Sequence, residues 1–181
     1  MTYTLRIVPA VDYVDLEMTI TNLSDEIWHE VFAFNCVSPA RAPAFEDSAM
    51  QRTYMQVQGQ PQALAHTTRI QGRRPGMGIY AVLQHTDHMP PFAEAFQATS
   101  PNQSDGAWMA KIADTGDAYM ATTTQDALFL FNNTNLGCIH AAPNFGDIEP
   151  ADAVTVSSRV YFAKGSLQDF IKRYDADHLP D

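Results

Sequence analysis

Val14, Leu16, Met18 and Ile20 alternate with Asp15, Glu17, Thr19 and Thr21. Side chains two apart share one face of a strand, so this run predicts a β-strand with one dry and one wet face. A strand of this kind must bury its dry face against a second layer, which steers the whole chain toward sheet-on-sheet packing. Tyr3, Leu5 and Ile7 repeat the period before it, with Pro9-Ala10-Val11-Asp12 as the turn between the two. At the carboxyl end Val154, Val156, Val160 and Phe162 share one parity, broken by Ser158, while Thr155, Ser157, Arg159 and Tyr161 share the other.

Further strands are expected at Trp28 to Val37, Arg52 to Val57, Gly78 to Gln84, Trp108 to Ile112, Tyr119 to Thr122 and Ala127 to Phe131. Trp28 to Val37 is rich in aromatic and β-branched residues and reads as a strand deep in a sheet. Ala127 to Phe131 is apolar on both parities and should run through the interior. Pro39 and Pro43 make Ser38 to Ala49 a loop, because proline donates nothing to a ladder. His85 to Gly106 reads as a surface excursion with a helical turn near Phe92 to Phe96, and a segment this long usually covers something. The last segment is an amphipathic helix: Ser166 and Asp169 stand as N-cap and N3 before Leu167, Phe170, Ile171 and Tyr174. The fold class is therefore all-β, an antiparallel β-sandwich with one C-terminal α-helix at about 166–176. All 181 residues form one domain, a length that buries roughly two-thirds of the unfolded surface.

Eleven Lys and Arg against 21 Asp and Glu give a formal charge of −10. Nucleic acid and anionic membrane surfaces are thus unsuitable partners, while neutral sugars or cations are acceptable. No segment reaches the ~20 apolar residues of a membrane span, and the amino terminus lacks the apolar core of a secretory signal. A cytoplasmic location is the expectation. The Asn-x-Ser/Thr triplets at Asn22, Asn102 and Asn132 then carry no meaning as glycosylation sites. Cys36 and Cys138 lie among apolar residues and read as a buried reduced pair, with a single core disulfide as the alternative.

No nucleophile elbow, phosphate loop or zinc helix is present. His85-Thr86-Asp87-His88 is the nearest approach to a metal signature, since imidazole and carboxylate donors in a turn can converge on one ion. His140 should stand where an interior strand emerges into the Pro143-Asn144 loop, and an imidazole there suits acid or base work. Arg159 and Tyr161 repeat the Arg-x-Tyr pairing of Arg52 and Tyr54, a pairing that can stack on a sugar ring and bond its hydroxyls. Cross-strand packing on a wet face explains these pairs equally well. Asn35 is a polar residue within an apolar strand and needs partners if buried.

Ile139-His140-Ala141-Ala142-Pro143-Asn144, Gly146-Asp147-Ile148-Glu149-Pro150 and Val154 through Phe162 together resemble the late strand, loop and closing strand of the galactose mutarotase-like β-supersandwich superfamily. Val14 to Ile20 followed by Asn22-Leu23-Ser24-Asp25 is similar to another strand and turn of these sandwiches. The resemblance implies a supersandwich-like fold and a carbohydrate ligand. The superfamily's sugar epimerases carry a glutamate base at the position that here is His140, and the chain is shorter than a full supersandwich.

The first functional expectation is a carbohydrate-binding or carbohydrate-modifying domain. His140 and Arg159 would be the catalytic pair, with Arg52, Tyr54, Tyr161, Asn35 and Asn144 holding the ligand on a concave sheet, without a cofactor. The second is an enzyme dependent on a divalent metal held by His85 and His88, with His140 or Asp87. The third is a non-catalytic structural or interaction module, self-associating through exposed sheet edges.

Overall fold

A computed structural model describes residues 1–69, 76–85 and 89–177. Its strands are β1 (Thr2–Pro9), β2 (Tyr13–Thr21), β3 (Trp28–Phe32), β4 (Asn35–Val37), β5 (Thr53–Val57), β6 (Gln60–Ala63), β7 (Met77–Ala81), β8 (Trp108–Ile112), β9 (Ala118–Thr124), β10 (Ala127–Asn133), β11 (Cys138–Ile148) and β12 (Ala153–Lys164). Two helices accompany them, α1 (Pro91–Phe96) and α2 (Leu167–Asp177). The strands pair antiparallel into a seven-stranded sheet, β1-β2-β12-β9-β8-β5-β6, and a five-stranded sheet, β3-β11-β10-β7 with β4 beside β11.

The alternation of the sequence sorts side chains onto four faces. Met55, Met109, Met120 and Val160 of the larger sheet meet Val37, Tyr80, Leu130 and Ile139 of the smaller, and all are buried. The outer face of the larger sheet carries Trp108, Ala110, Tyr119 and Tyr161, which α2 roofs with Leu167, Phe170 and Ile171. The α2 start is the expected capping box: the Asp169 backbone N–H donates to Ser166 Oγ and the Ser166 N–H donates back to Asp169 Oδ2. Ile79, Phe129 and Phe131 form the outer face of the smaller sheet, and Met89, Ala93 and Phe96 of the excursion cover it.

Three expectations need correction. Trp28 to Val37 is not one deep strand: β3 lies at the edge of the smaller sheet, and Ala33-Phe34 separates it from β4. The Pro143-Asn144-Gly146 segment is not a loop, because β11 runs through it by register shifts opposite β3. Gly146, at φ +64°, absorbs the irregularity. Cys36 is exposed rather than buried, and both cysteines are free thiols. β6 went unforeseen, since Gln60-Pro61-Gln62 has no apolar period and is strand only by pairing with β5 at the sheet edge.

Tyr3, Leu5 and Ile7 continue the inner face beyond β2, opposite Ile20, Met18 and Leu16. Yet every β1 residue is exposed, because the narrower sheet does not reach over it. Asn22 is wholly buried and donates to the carbonyls of Glu26 and Ile148, tying the turn after β2 to the end of β11. Asn22 and Asn132 are both buried, so neither triplet is a sugar acceptor in the folded chain. No helix among the described residues is long and apolar enough to cross a membrane.

Candidate functional site

The expected concave cluster is not assembled. Arg159 and Tyr161 lie on the outer face of the larger sheet, beside α2. The guanidinium grips Asp15 in two bonds of 2.5 and 2.9 Å, reaches Asp177 at 2.7 Å and lies 3.9 Å from the centre of the Tyr13 ring. Tyr161 is buried and donates to Asp177 at 2.9 Å. These bonds, led by that to Asp15, raise Arg159 above its ordinary value, and burial followed by the Asp177 bond raises Tyr161. The group latches the end of α2 to the sheet. Tyr54 packs under the same helix. Arg52 donates to the carbonyls of Ala44, Glu46 and Ile112, fastening the proline-rich loop to β8. Arg52, Arg159 and Tyr161 thus spend polar atoms on partners within the protein, and none of the four lies beside His140.

His140 belongs instead to the outer face of the smaller sheet. It sits 6% exposed between the rings of Phe34 and Phe131, with centroids 5.5 and 4.8 Å away. The β4–β11 ladder places Cys36 directly opposite it, and Cys138 lies two residues along the same face. A His140 ring nitrogen, Nε2, is 3.1 Å from Cys138 Sγ, while Nδ1 has no hydrogen-bond partner among the described residues. Burial pushes the His140 imidazole down to about 4 and pushes the Cys138 thiol, with help from Cys36, up to about 11. Donor atoms of Cys36, Cys138 and His140 all lie within 4.8 Å of one another. Both cysteines line a cleft of about 680 Å³ between residues 38–48 and the 134–138 hairpin. Asn35 faces inward on β4, buried, with its Nδ2 unpartnered among the described residues.

His85 does not join His140. Its ring is bound to Asp126 at 2.5 Å, and His88 and Asp87 lie outside the described residues. Asp126 also accepts from Asn144 Nδ2 at 2.9 Å and from Gln84 at 2.7 Å. Across the same cleft, of about 450 Å³, His29 Nδ1 is 2.8 Å from Asp147 Oδ2. The cleft is lined by His29, Glu30, His85, Leu128, Asn144, Gly146 and Asp147. It owes its shape to the β3–β11 register shifts, which turn Asn144 and Asp147 out of plain alternation. Opposite them Glu30 stands at φ 52°, an unusual conformation for a residue with a side chain, and its N–H donates to Asp147 Oδ1 at 2.9 Å. That bond first, then the His29 ring, holds the Asp147 carboxyl below the usual carboxylate range.

The lining thus brings imidazole, carboxylate and amide groups together as hydrogen-bond donors and acceptors, with Asp126, outside the lining, bonded to His85 and Asn144. Of this set, the sequence singles out Asn144 and His85 but not His29, Asp126 or Asp147. The available signal is the Asn144-Phe145-Gly146-Asp147 run, whose glycine marks a bulge rather than a loop.

No protein-family model matches the chain, and no curated protein matches it. Among solved structures it is similar to one from Klebsiella pneumoniae provisionally assigned as an aldose 1-epimerase. The TM-score is 0.52 at 13% identity, covering 99% of this chain and 50% of that one. It is also similar to the Slr1438 protein of Synechocystis, with a TM-score of 0.44 at 8% identity, covering 89% of this chain and 54% of that one. The likeness to the Klebsiella pneumoniae structure is one of fold, that of a galactose mutarotase-like sandwich, and the chain spans about half the length of either structure.

Proposed function

We propose that this protein binds a neutral carbohydrate in the cleft between the His29–Asp147 pair and the His85–Asp126–Asn144 group. The observation that carries the reading is that His29, Asp147, His85 and Asn144 line one cleft, built by a bulged strand and the strained Glu30, while Asp126 bonds His85 and Asn144. Sugar hydroxyls both donate and accept, and the cleft offers carboxylate acceptors beside imidazole and amide groups. Leu128 contributes an apolar patch for the C–H face of a sugar ring. The cleft's volume falls in the range of small-molecule sites. Asp126, Asp147 and Glu30, on a chain of net charge −10, disfavour sugar phosphates and sugar acids. The carbohydrate class also fits a fold shared with a structure provisionally assigned as an aldose 1-epimerase.

Titration of the labelled protein with a panel of neutral mono- and disaccharides tests this, read on the His29 and His85 ring resonances and on the Asn144 side-chain amide. One sugar should move all three, and His85→Ala should abolish the shifts. If no sugar moves them, or if shifts persist unchanged in His85→Ala, the reading fails. Polarimetry of the bound sugar's anomers then decides whether binding is accompanied by proton transfer.

A further inference from the structure

We propose that Cys36, Cys138 and His140 form a three-ligand site for a zinc ion, with its fourth coordination position opening into the cleft between residues 38–48 and the 134–138 hairpin. This site is separate from the carbohydrate cleft and does not depend on it.

The register of two neighbouring strands creates it. Cys36 is the ladder partner of His140, and Cys138 precedes His140 by two residues on the same face. The ligands are thus presented by rigid elements rather than by loops. Their donor atoms lie within 4.8 Å of one another, and the closest pair, His140 Nε2 and Cys138 Sγ, is 3.1 Å apart. Around a tetrahedral zinc with Zn–S near 2.3 Å and Zn–N near 2.0 Å, donors are roughly 3.5–3.8 Å apart. The observed spacings, from 3.1 Å for that pair to no more than 4.8 Å, bracket these values.

The environment suits such an ion. Two thiolates and a neutral imidazole balance the charge of Zn²⁺, so the cluster is neutral overall and suffers less from burial than an isolated charge would. Its walls include the rings of Phe34 and Phe131. A buried imidazole whose described polar contact is one sulfur is poorly satisfied by the protein alone, since sulfur is a weak hydrogen-bond partner. Paired thiolates with an imidazole select borderline or soft ions over magnesium or calcium. Cys36 is exposed and lines the cleft, which supplies an entry path. Glu46 and Asp47 on the cleft wall favour an approaching cation. Three protein ligands with an open fourth position is the arrangement in which zinc keeps an exchangeable water.

Binding releases a proton from each thiol to solvent and transfers no electrons. The test uses the full chain, reduced and stripped of metal with a chelator, then titrated with Zn²⁺ or Co²⁺. One equivalent should bind, two protons should be released per zinc, and the Co²⁺ form should show thiolate-to-cobalt charge transfer with tetrahedral d–d bands. Cys36→Ser, chosen because Cys36 is exposed and its loss leaves the core intact, should weaken binding by at least about 100-fold, as even outer-shell partners carry 10–100-fold. His140→Gln should also weaken it and shift the cobalt d–d bands. The proposal is overturned if the reduced protein binds no stoichiometric metal, if Cys36→Ser binds as tightly as the parent, or if the cysteines are recovered only as a disulfide whose reduction restores no metal affinity. Each of these results leaves the sugar titration unaffected.

Discussion

Phe170→Ala probes how much of this fold depends on the docking of α2. Phe170 is 0% exposed and lies among the rings of Trp108, Tyr119, Tyr161 and Tyr174, at centroid distances of 5.1, 5.5, 5.7 and 6.2 Å. Truncating a fully buried phenylalanine costs about 3–5 kcal/mol, and the loss of four ring contacts, two of them edge-to-face, places this site near the middle, at about 4 kcal/mol. Against a typical domain stability of about 5–15 kcal/mol, that is a quarter or more of the total. With a urea m-value of about 2.5 kcal/mol/M, the unfolding midpoint should fall by about 1.6 M at unchanged slope. Circular dichroism through a urea titration reads the midpoint, and amide exchange tells global from local loss. If the helix merely undocks, α2 amides exchange quickly while β12 and β9 stay protected. A loss below about 1.5 kcal/mol with α2 still protected would refute the view that this aromatic cluster fastens the helix to the sheet.

Ile7→Lys should change stability by less than about 0.5 kcal/mol in the same assay, because Ile7 is 58% exposed despite its strand pattern; a larger loss would mean that something covers β1. Acid should weaken the fold from about pH 4 downward. Burial raises Asp177, but bonds from Tyr161, Arg173 and Arg159 outweigh it and hold its carboxyl below the ordinary 3.8. Asp169 is also lowered, first by the Ser166 N–H. Both therefore bind fewer protons folded than unfolded, so their stabilisation is complete above the unfolded value and is lost as pH falls through the folded one. Asp177→Asn should flatten that limb in a pH series of thermal melts; an unchanged limb would remove Asp177 from the account.

Elements whose signal is local were legible in advance. The β2 alternation, the β12 alternation as far as Val160, the two-faced apolar β10 and the capping box before Leu167 appear in the structure as read, whereas at the end of β12 Tyr161 is buried and Phe162 is exposed. Those whose identity depends on a partner were not. β6 is strand only because β5 lies beside it, and β11 crosses Pro143 and Gly146 only because β3 accommodates its irregular register. The candidate sites divide in the same way. The Arg-x-Tyr repeats were visible, but Arg159 bonds Asp15 and Asp177, and Arg52 bonds loop carbonyls, so what resembles a binding surface is a set of internal fastenings. His29 and Asp147 were not singled out as site residues, because neither side chain has a partner in view until the β3–β11 pairing brings them to 2.8 Å.

The sequence by itself determined that this chain is a two-layer β-structure closed by a capped amphipathic helix, since period and capping are properties of neighbouring residues. Only the tertiary structure decided which sheet each strand joins, which faces are covered, and that Cys36 stands opposite His140 and His29 beside Asp147. Those outcomes follow from strand order and register, which depend on packing between segments distant in the chain. A shift of one residue in any pairing turns every side chain of a strand to the opposite face.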